Sequence, residues 1–195
     1  MRLIEAPDAE LLFDEAFLPD DPFDSLRAAI PWTQGAIRMF GRTIPEPRLS
    51  CWMGDPGARY RYSGRDLTPL PWAPAVAAIR AAVERAADAP FNSVLANLYR
   101  GGDDAMGWHA DDEPELGEAP VIASVSLGAA RRFCLKHKRI KGRRLELSLG
   151  GGSLLVMRGA TQACWLHSVP RTKRPVGPRI NLTFRQIIRP DPASR

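Results

Sequence analysis

Two of the chain's three histidines stand in company that could hold a metal ion. His109-Ala110-Asp111 sets an imidazole and a carboxylate two residues apart, so in an extended segment both project from one face. His167 follows in the apolar stretch Trp165-Leu166-His167-Ser168-Val169, where a polar ring needs a reason to be. Two imidazoles and one carboxylate are the facial ligand set that holds Fe(II) and leaves positions open for a co-substrate and oxygen. The spacing alone fits equally a chance His-x-Asp pair and a satisfied core histidine.

The C-terminal run Arg179-Ile180-Asn181-Leu182-Thr183-Phe184-Arg185 alternates polar and apolar residues at every step. As a strand it shows Arg179, Asn181, Thr183 and Arg185 on one face and buries Ile180, Leu182 and Phe184 on the other. Unpaired buried charge is costly, so two guanidinium groups aimed into an enclosed face would call for a dianion. The arginines stand about 20 Å apart along a strand. Side chains leaning inward could grip a short dicarboxylate from both ends. A solvent-exposed basic edge strand is the plainer alternative.

The elements that must position these groups are mostly short strands. Candidates are 93–99, 121–127, 131–137, 145–149, 153–157, 165–169 and 179–187, while 36–62 alternates short apolar pieces with Gly, Pro and Arg as hairpins do. Asp20-Asp21-Pro22 reads as the cap and first turn of a helix through Phe23, Leu26, Ala29 and Ile30. Pro74 opens a second helix, with Val76, Ile79, Val83 and Ala86 on one face, ending before Pro90. Strands with one or two helices packed outside predict a mainly β fold with flanking helices (α+β), a sandwich or jelly roll. Trp32 and Trp72 are expected in the core and Trp165 near the pocket. His137 is expected to belong to a basic strand and not to be a ligand.

Composition narrows the classes. The 195 residues are 45% apolar and 25% charged, which suits one globular domain and excludes disorder. No apolar run approaches the roughly 20 residues that span a bilayer, so no membrane association is expected. Glu5, Asp8 and Glu10 stand where a signal peptide would need apolar residues, so the expected location is cytoplasmic. Three cysteines with no paired spacing fit reduced thiols. The net charge of +5 hides a segregation: residues 1–35 carry eight acids against two arginines, whereas 131–189 carry fifteen Lys or Arg against Glu146 alone. A polyanionic partner, nucleic acid above all, explains such a division better than solubility does.

The order Asn97-x-Tyr99, His109-x-Asp111, His167 and RINLTFR resembles the AlkB family of Fe(II)- and 2-oxoglutarate-dependent dioxygenases. The runs HADDEPELGEAPVIASVSLGAARRFCLKHK, GGSLLVMRG and HSVP are similar to its DNA-repair, duplex-acting branch, and the likeness covers roughly residues 36–188. The resemblance implies a double-stranded β-helix (jelly roll) core at 91–190. Residues 1–90 would be an N-terminal helix and hairpin extension, all within one compact unit. It implies Fe(II) on His109, Asp111 and His167, with O2 and 2-oxoglutarate as co-substrates. Arg179, with Asn97 and Tyr99, would hold the distal carboxylate of 2-oxoglutarate; Arg185, with Asn181, would hold the carboxylate beside the metal. The implied reaction is oxidative demethylation of N-alkylated bases such as 1-methyladenine and 3-methylcytosine. Its implied partner is single- or double-stranded DNA, or RNA, met by a monomer.

For the substrate, the resemblance places Tyr62 in a stacking position, with Tyr60 beside it, and Asp112 and Glu113 on the exocyclic nitrogen or charge of the damaged base. Ile37-Arg38-Met39-Phe40-Gly41-Arg42 reads as a hairpin whose Met39 and Phe40 could wedge into the base stack. Arg38, Arg42 and Arg48 would lie on the flanking phosphates, and the basic run 136–144 on the opposite strand. Surface strand tyrosines, loop acids capping a turn and a hairpin packed on its own core are the competing readings.

Overall fold

The computed structural model describes residues 1–39, 42–58, 60–62 and 65–188. The chain opens with β1 (Arg2–Ala6) and β2 (Ala9–Asp14), a hairpin turned by Pro7 and by Asp8 in a left-handed conformation (φ 54°). Next come α1 (Phe23–Ala29), β3 (Ala36–Met39), β4 (Arg42–Pro45), β5 (Leu49–Gly54), β6 (Tyr60–Tyr62) and β7 (Arg65–Leu67). The 14-residue α2 (Pro74–Ala87) precedes β8 (Ser93–Tyr99), β9 (Met106–His109), β10 (Ile122–Gly128) and β11 (Arg131–His137). After β12 (Arg144–Leu149) and β13 (Ser153–Arg158), the short α3 (Thr161–Cys164) leads into β14 (Trp165–Val169), and β15 (Arg179–Arg185) closes the fold.

Two antiparallel sheets face each other. The larger runs β1-β2-β13-β10-β15-β8-β5 and the smaller β12-β11-β14-β9; β3-β4 and β6-β7 are separate ribbons. This is the expected β-rich jelly roll with helices outside it. Strands β1, β2 and β5, all within the first ninety residues, are integral to the larger sheet. The β1-β2 hairpin is not among the strands expected from the sequence. Its signal was a Pro-Asp turn between two alternating runs.

The core has two layers, one on each face of the larger sheet. Leu26 and Ile30 after α1, and Val76, Ile79, Val83 and Ala87 of α2, pack on Val94, Ala96, Val125, Leu182 and Phe184. Between the sheets lie Leu11, Phe13, Leu95, Ile122, Phe133, Leu135, Met157 and Trp165. β15, hydrogen-bonded between β10 and β8, faces both layers, and all seven of its residues are buried. Asp21 does not cap α1, as the sequence suggested; its Oδ2 accepts the Gly128 N–H at 2.9 Å and ties the helix start to the end of β10.

Phe184 is fully buried, with ring centroids 6.4 Å from Trp72 and 6.1 Å from Phe91. Phe184→Ala should cost about 3–5 kcal/mol by urea unfolding. Leu3→Ala, at a position 57% exposed, should stay within about 0.5 kcal/mol.

Candidate metal and co-substrate site

β14 and β9 are paired so that His167 lies opposite His109, which brings the two rings to a centroid distance of 4.2 Å. Asp111 follows just beyond β9. One ligand atom from each of the three side chains lies within 4.8 Å of the others, and His167 Nε2 stands 3.7 Å from Asp111 Oδ2. His109 Nδ1 lies 2.8 Å from the Gly107 carbonyl, which can only accept, so Nδ1 carries the hydrogen and Nε2 keeps its lone pair. Burial, then the neighbouring His109, holds the His167 pKa at about 3 against the pull of Asp111, so this ring is neutral. Burial alone would raise Asp111, but the Arg185 guanidinium and both imidazoles outweigh it and hold the carboxyl at about 2. Arg185 Nη2 donates to Asp111 Oδ1, while Oδ2 is buried without a hydrogen-bond partner. Two imidazole nitrogens and an anionic carboxylate oxygen suit a borderline-hard divalent ion such as Fe(II).

Across the cavity stands β15. Its register sets Arg179 beside Tyr99 and Asn181 beside Asn97, so all four share one face. Arg179 is 1% exposed; Nη2 donates to Ser126 Oγ at 2.8 Å, while Nε and Nη1 have no hydrogen-bond partner among the described residues. Burial lowers its pKa, and Tyr99, not a carboxylate, offsets part of that. A buried guanidinium left without an anion is costly. A carboxylate entering this cavity would relieve that cost, as the distal end of 2-oxoglutarate would. Arg185 Nη2 is engaged with Asp111. Asn181 is satisfied internally, with Nδ2 on Ser124 Oγ (2.7 Å) and Val125 O (3.1 Å) and Oδ1 accepting from Thr183 (2.9 Å).

Arg48 corrects the sequence reading. It is 5% exposed, donates Nε to Asn97 Oδ1 at 2.9 Å and pairs Nη2 with Glu46 at 2.8 Å, so it is not available to a phosphate. It precedes β5, whose pairing with β8 sets Ser50 opposite Asn97 and draws the guanidinium inward. Trp165 does not line the cavity: it is buried in the layer between the sheets, with Nε1 donating to Pro7 O at 3.0 Å. Asp112 is exposed and paired with Lys138 at 2.8 Å, which draws that lysine out of the free basic run. Glu113 keeps a buried, unpartnered Oε2. Phe40 and the side chains of Met39, Arg42, Tyr60 and Tyr62 lie outside the described residues.

Other contributors escaped the sequence reading. Arg131, 4% exposed, donates to the carbonyls of Gly101, Asp104 and Pro170, and its guanidinium lies 5.6 Å from the Tyr99 ring, with Arg179 at 5.2 Å. Parity with the inward Phe133 and Leu135 marked it. Phe133 stacks at 5.3 Å on His167. Asp8, His137 and Cys164 form a second trio with ligand atoms within 4.8 Å. His137 Nδ1 accepts the N–H groups of Arg139 and Ile140, so Nε2 carries the hydrogen and offers a cation no lone pair.

Comparison with known proteins agrees with this geometry. Residues 18–185 match the 2OG-Fe(II) oxygenase superfamily. The mouse DNA oxidative demethylase ALKBH2 is 40% identical over 191 residues, 93% of this chain and 80% of that protein. The human protein of that name is 40% identical over 179 residues, 87% and 69%. The bovine alpha-ketoglutarate-dependent dioxygenase alkB homolog 3 is 41% identical over 182 residues, 89% and 63%. Among solved structures, that of OsALKBH1 superposes with a TM-score of 0.65 over 94% of this chain and 98% of its own, at 19% identity, a likeness of fold. A triad of two imidazoles and a carboxylate, a buried cation awaiting an anion, and the extent of the match agree: the chain belongs to the 2OG-Fe(II) oxygenase superfamily.

Proposed function

We propose that this protein removes alkyl groups from the nitrogens of DNA bases, using Fe(II), 2-oxoglutarate and O2. The observation that carries this reading is the meeting, in one cavity, of Asp111 Oδ2 and of Arg179, whose Nε and Nη1, like that oxygen, have no hydrogen-bond partner among the described residues, in a chain about 40% identical to DNA oxidative demethylases. When held by these residues, iron would activate O2: one oxygen atom would go to 2-oxoglutarate, giving succinate and CO2, and the other to an N-alkyl carbon, whose loss as an aldehyde restores the base.

The chain's own residues bind and orient. His109, Asp111 and His167 hold the metal, and Arg185 fixes the outer oxygen of Asp111 so that the inner one stays aimed at His167. Arg179, backed by Ser126 and Tyr99, grips the distal carboxylate of the co-substrate. Arg48 orients Asn97 in the cavity wall. Phe133 covers one face of His167 and keeps water off it.

At the mouth, Glu113 offers a carboxylate oxygen to a cationic alkylated base, which favours the lesion over its neutral parent. Tyr60 and Tyr62 flank the extruded base, and Met39 and Phe40 fill the space it leaves in the duplex. Arg42 holds a flanking phosphate. The exposed loop bearing Arg139, Lys141, Arg143 and Arg144 lies against the sugar-phosphate backbone, giving affinity without sequence preference.

Incubated with Fe(II), 2-oxoglutarate and a 1-methyladenine oligonucleotide, the wild type should restore adenine, scored by mass spectrometry. His109→Ala should lose more than about 100-fold, beyond what removing a supporting residue of a metal site costs. An unchanged lesion with the wild type overturns the substrate assignment. Arg179→Met should weaken 2-oxoglutarate binding at least about 30-fold, the effect of truncating one side of a buried charge pair, and leave metal affinity unaltered. Phe40→Ala should lower turnover on duplex much more than on single strands; equal loss on both removes the wedge.

A further inference from the structure

Asp111 lies in an irregular segment just past β9, and an irregular segment does not by itself aim a side chain. Its carboxylate is held by Arg185, but a carboxylate beside a guanidinium tends to turn both oxygens toward it in a two-pronged pair. That motion would withdraw Oδ2 from His167. A second restraint, acting on the backbone, opposes it. The Asp111 N–H donates to Gln162 Oε1 at 2.9 Å, and Gln162 is 1% exposed.

Among the described residues the other end of the Gln162 amide donates only to the Met157 sulfur at 3.6 Å, a weak acceptor. Burying an amide for one good hydrogen bond is poor value for stability alone. The Gln162 backbone carbonyl also accepts from Lys138 Nζ at 2.8 Å, and the same ammonium donates to Asp112 Oδ2 at 2.8 Å. A single residue of α3 therefore restrains Asp111 directly and Asp112 through one lysine.

α3 is itself well anchored. Thr161 Oγ1 accepts from Glu10 N at 3.0 Å and donates to Arg158 O at 2.6 Å. The helix runs directly into β14, which carries His167 five residues after Gln162. Gln162 thus joins the segment of one metal-binding side chain to the element that delivers another.

We infer that Gln162 is a positioning residue, which holds the Asp111 backbone so that Oδ2 faces His167 before any metal arrives. The inference rests on the assignment of His109, Asp111 and His167 as metal ligands. Its test is calorimetric titration of Co2+ into the full chain without co-substrate or DNA, with thermal unfolding in EDTA recorded alongside. Gln162→Met keeps the volume but loses the acceptor and should bind Co2+ at least about tenfold more weakly, the usual effect of removing an outer partner. Gln162→Glu keeps an acceptor and should return to within about threefold of wild type, since one hydrogen bond is worth about a kcal/mol. Val83→Ala, in the core beneath α2 and away from the site, should lower the melting temperature and leave Co2+ affinity unchanged. Should Gln162→Met not fold, Gln162→Asn, too short to reach Asp111, should show the same loss. Wild-type affinity in Gln162→Met or Gln162→Asn, or an equal loss in Val83→Ala, overturns the inference. Failure of the wild type to bind Co2+ instead overturns the metal assignment beneath it.

Discussion

The rest of the structure depends on a charge placed where water cannot reach it. Arg179 is buried on β15 and, among the described residues, two of its guanidinium nitrogens have no hydrogen-bond partner and no carboxylate pairs with it. Such a group persists in a stable fold only when its surroundings over-determine it and a ligand will complete it. The surroundings here are rigid: β15 is paired on both edges, its apolar face is sealed by α1 and α2, and its polar face looks into the space between the sheets. The same enclosure gives the metal site its character. It keeps His167 neutral, and it lets Arg185 and the imidazoles hold Asp111 ionised against its burial.

From this constraint the division of labour between the sheets follows. The larger sheet supplies Arg179, Asn181, Asn97 and Tyr99 from neighbouring strands in register, so their spacing is set by backbone hydrogen bonds. The smaller sheet supplies His109 and His167 by the same device. Asp111 alone among the three donors stands outside regular structure, and it is held instead by Arg185 on its side chain and Gln162 on its backbone. The basic and acidic halves of the sequence meet here too. Glu10 of the N-terminal hairpin pairs with Arg158, and Trp165 reaches the Pro7 carbonyl.

What the sequence disclosed was what periodicity can carry. β15 was legible because its alternation is unbroken, and so was α2, with apolar residues at steps of three and four. The His-x-Asp pair gave a shared face but not the partner strand; that contact joins residues 58 positions apart and arises from sheet pairing. Arg48 and Lys138 were misjudged because a basic residue looks alike in sequence whether it meets a phosphate or a carboxylate. Only the fold shows Glu46 beside the first and Asp112 beside the second. Gln162 gave no signal, since its function lies in a single bond to a backbone N–H across 51 residues.

The central claim is that His109, Asp111 and His167 converge on one metal position facing Arg179. Crystals grown with Mn2+ and 2-oxoglutarate, measured by anomalous diffraction, test it directly. The account predicts one strong peak within bonding distance of His109 Nε2, Asp111 Oδ2 and His167 Nε2, with co-substrate density running from it to the Arg179 guanidinium. A peak held by other residues, or a co-substrate whose far carboxylate lies away from Arg179, contradicts it.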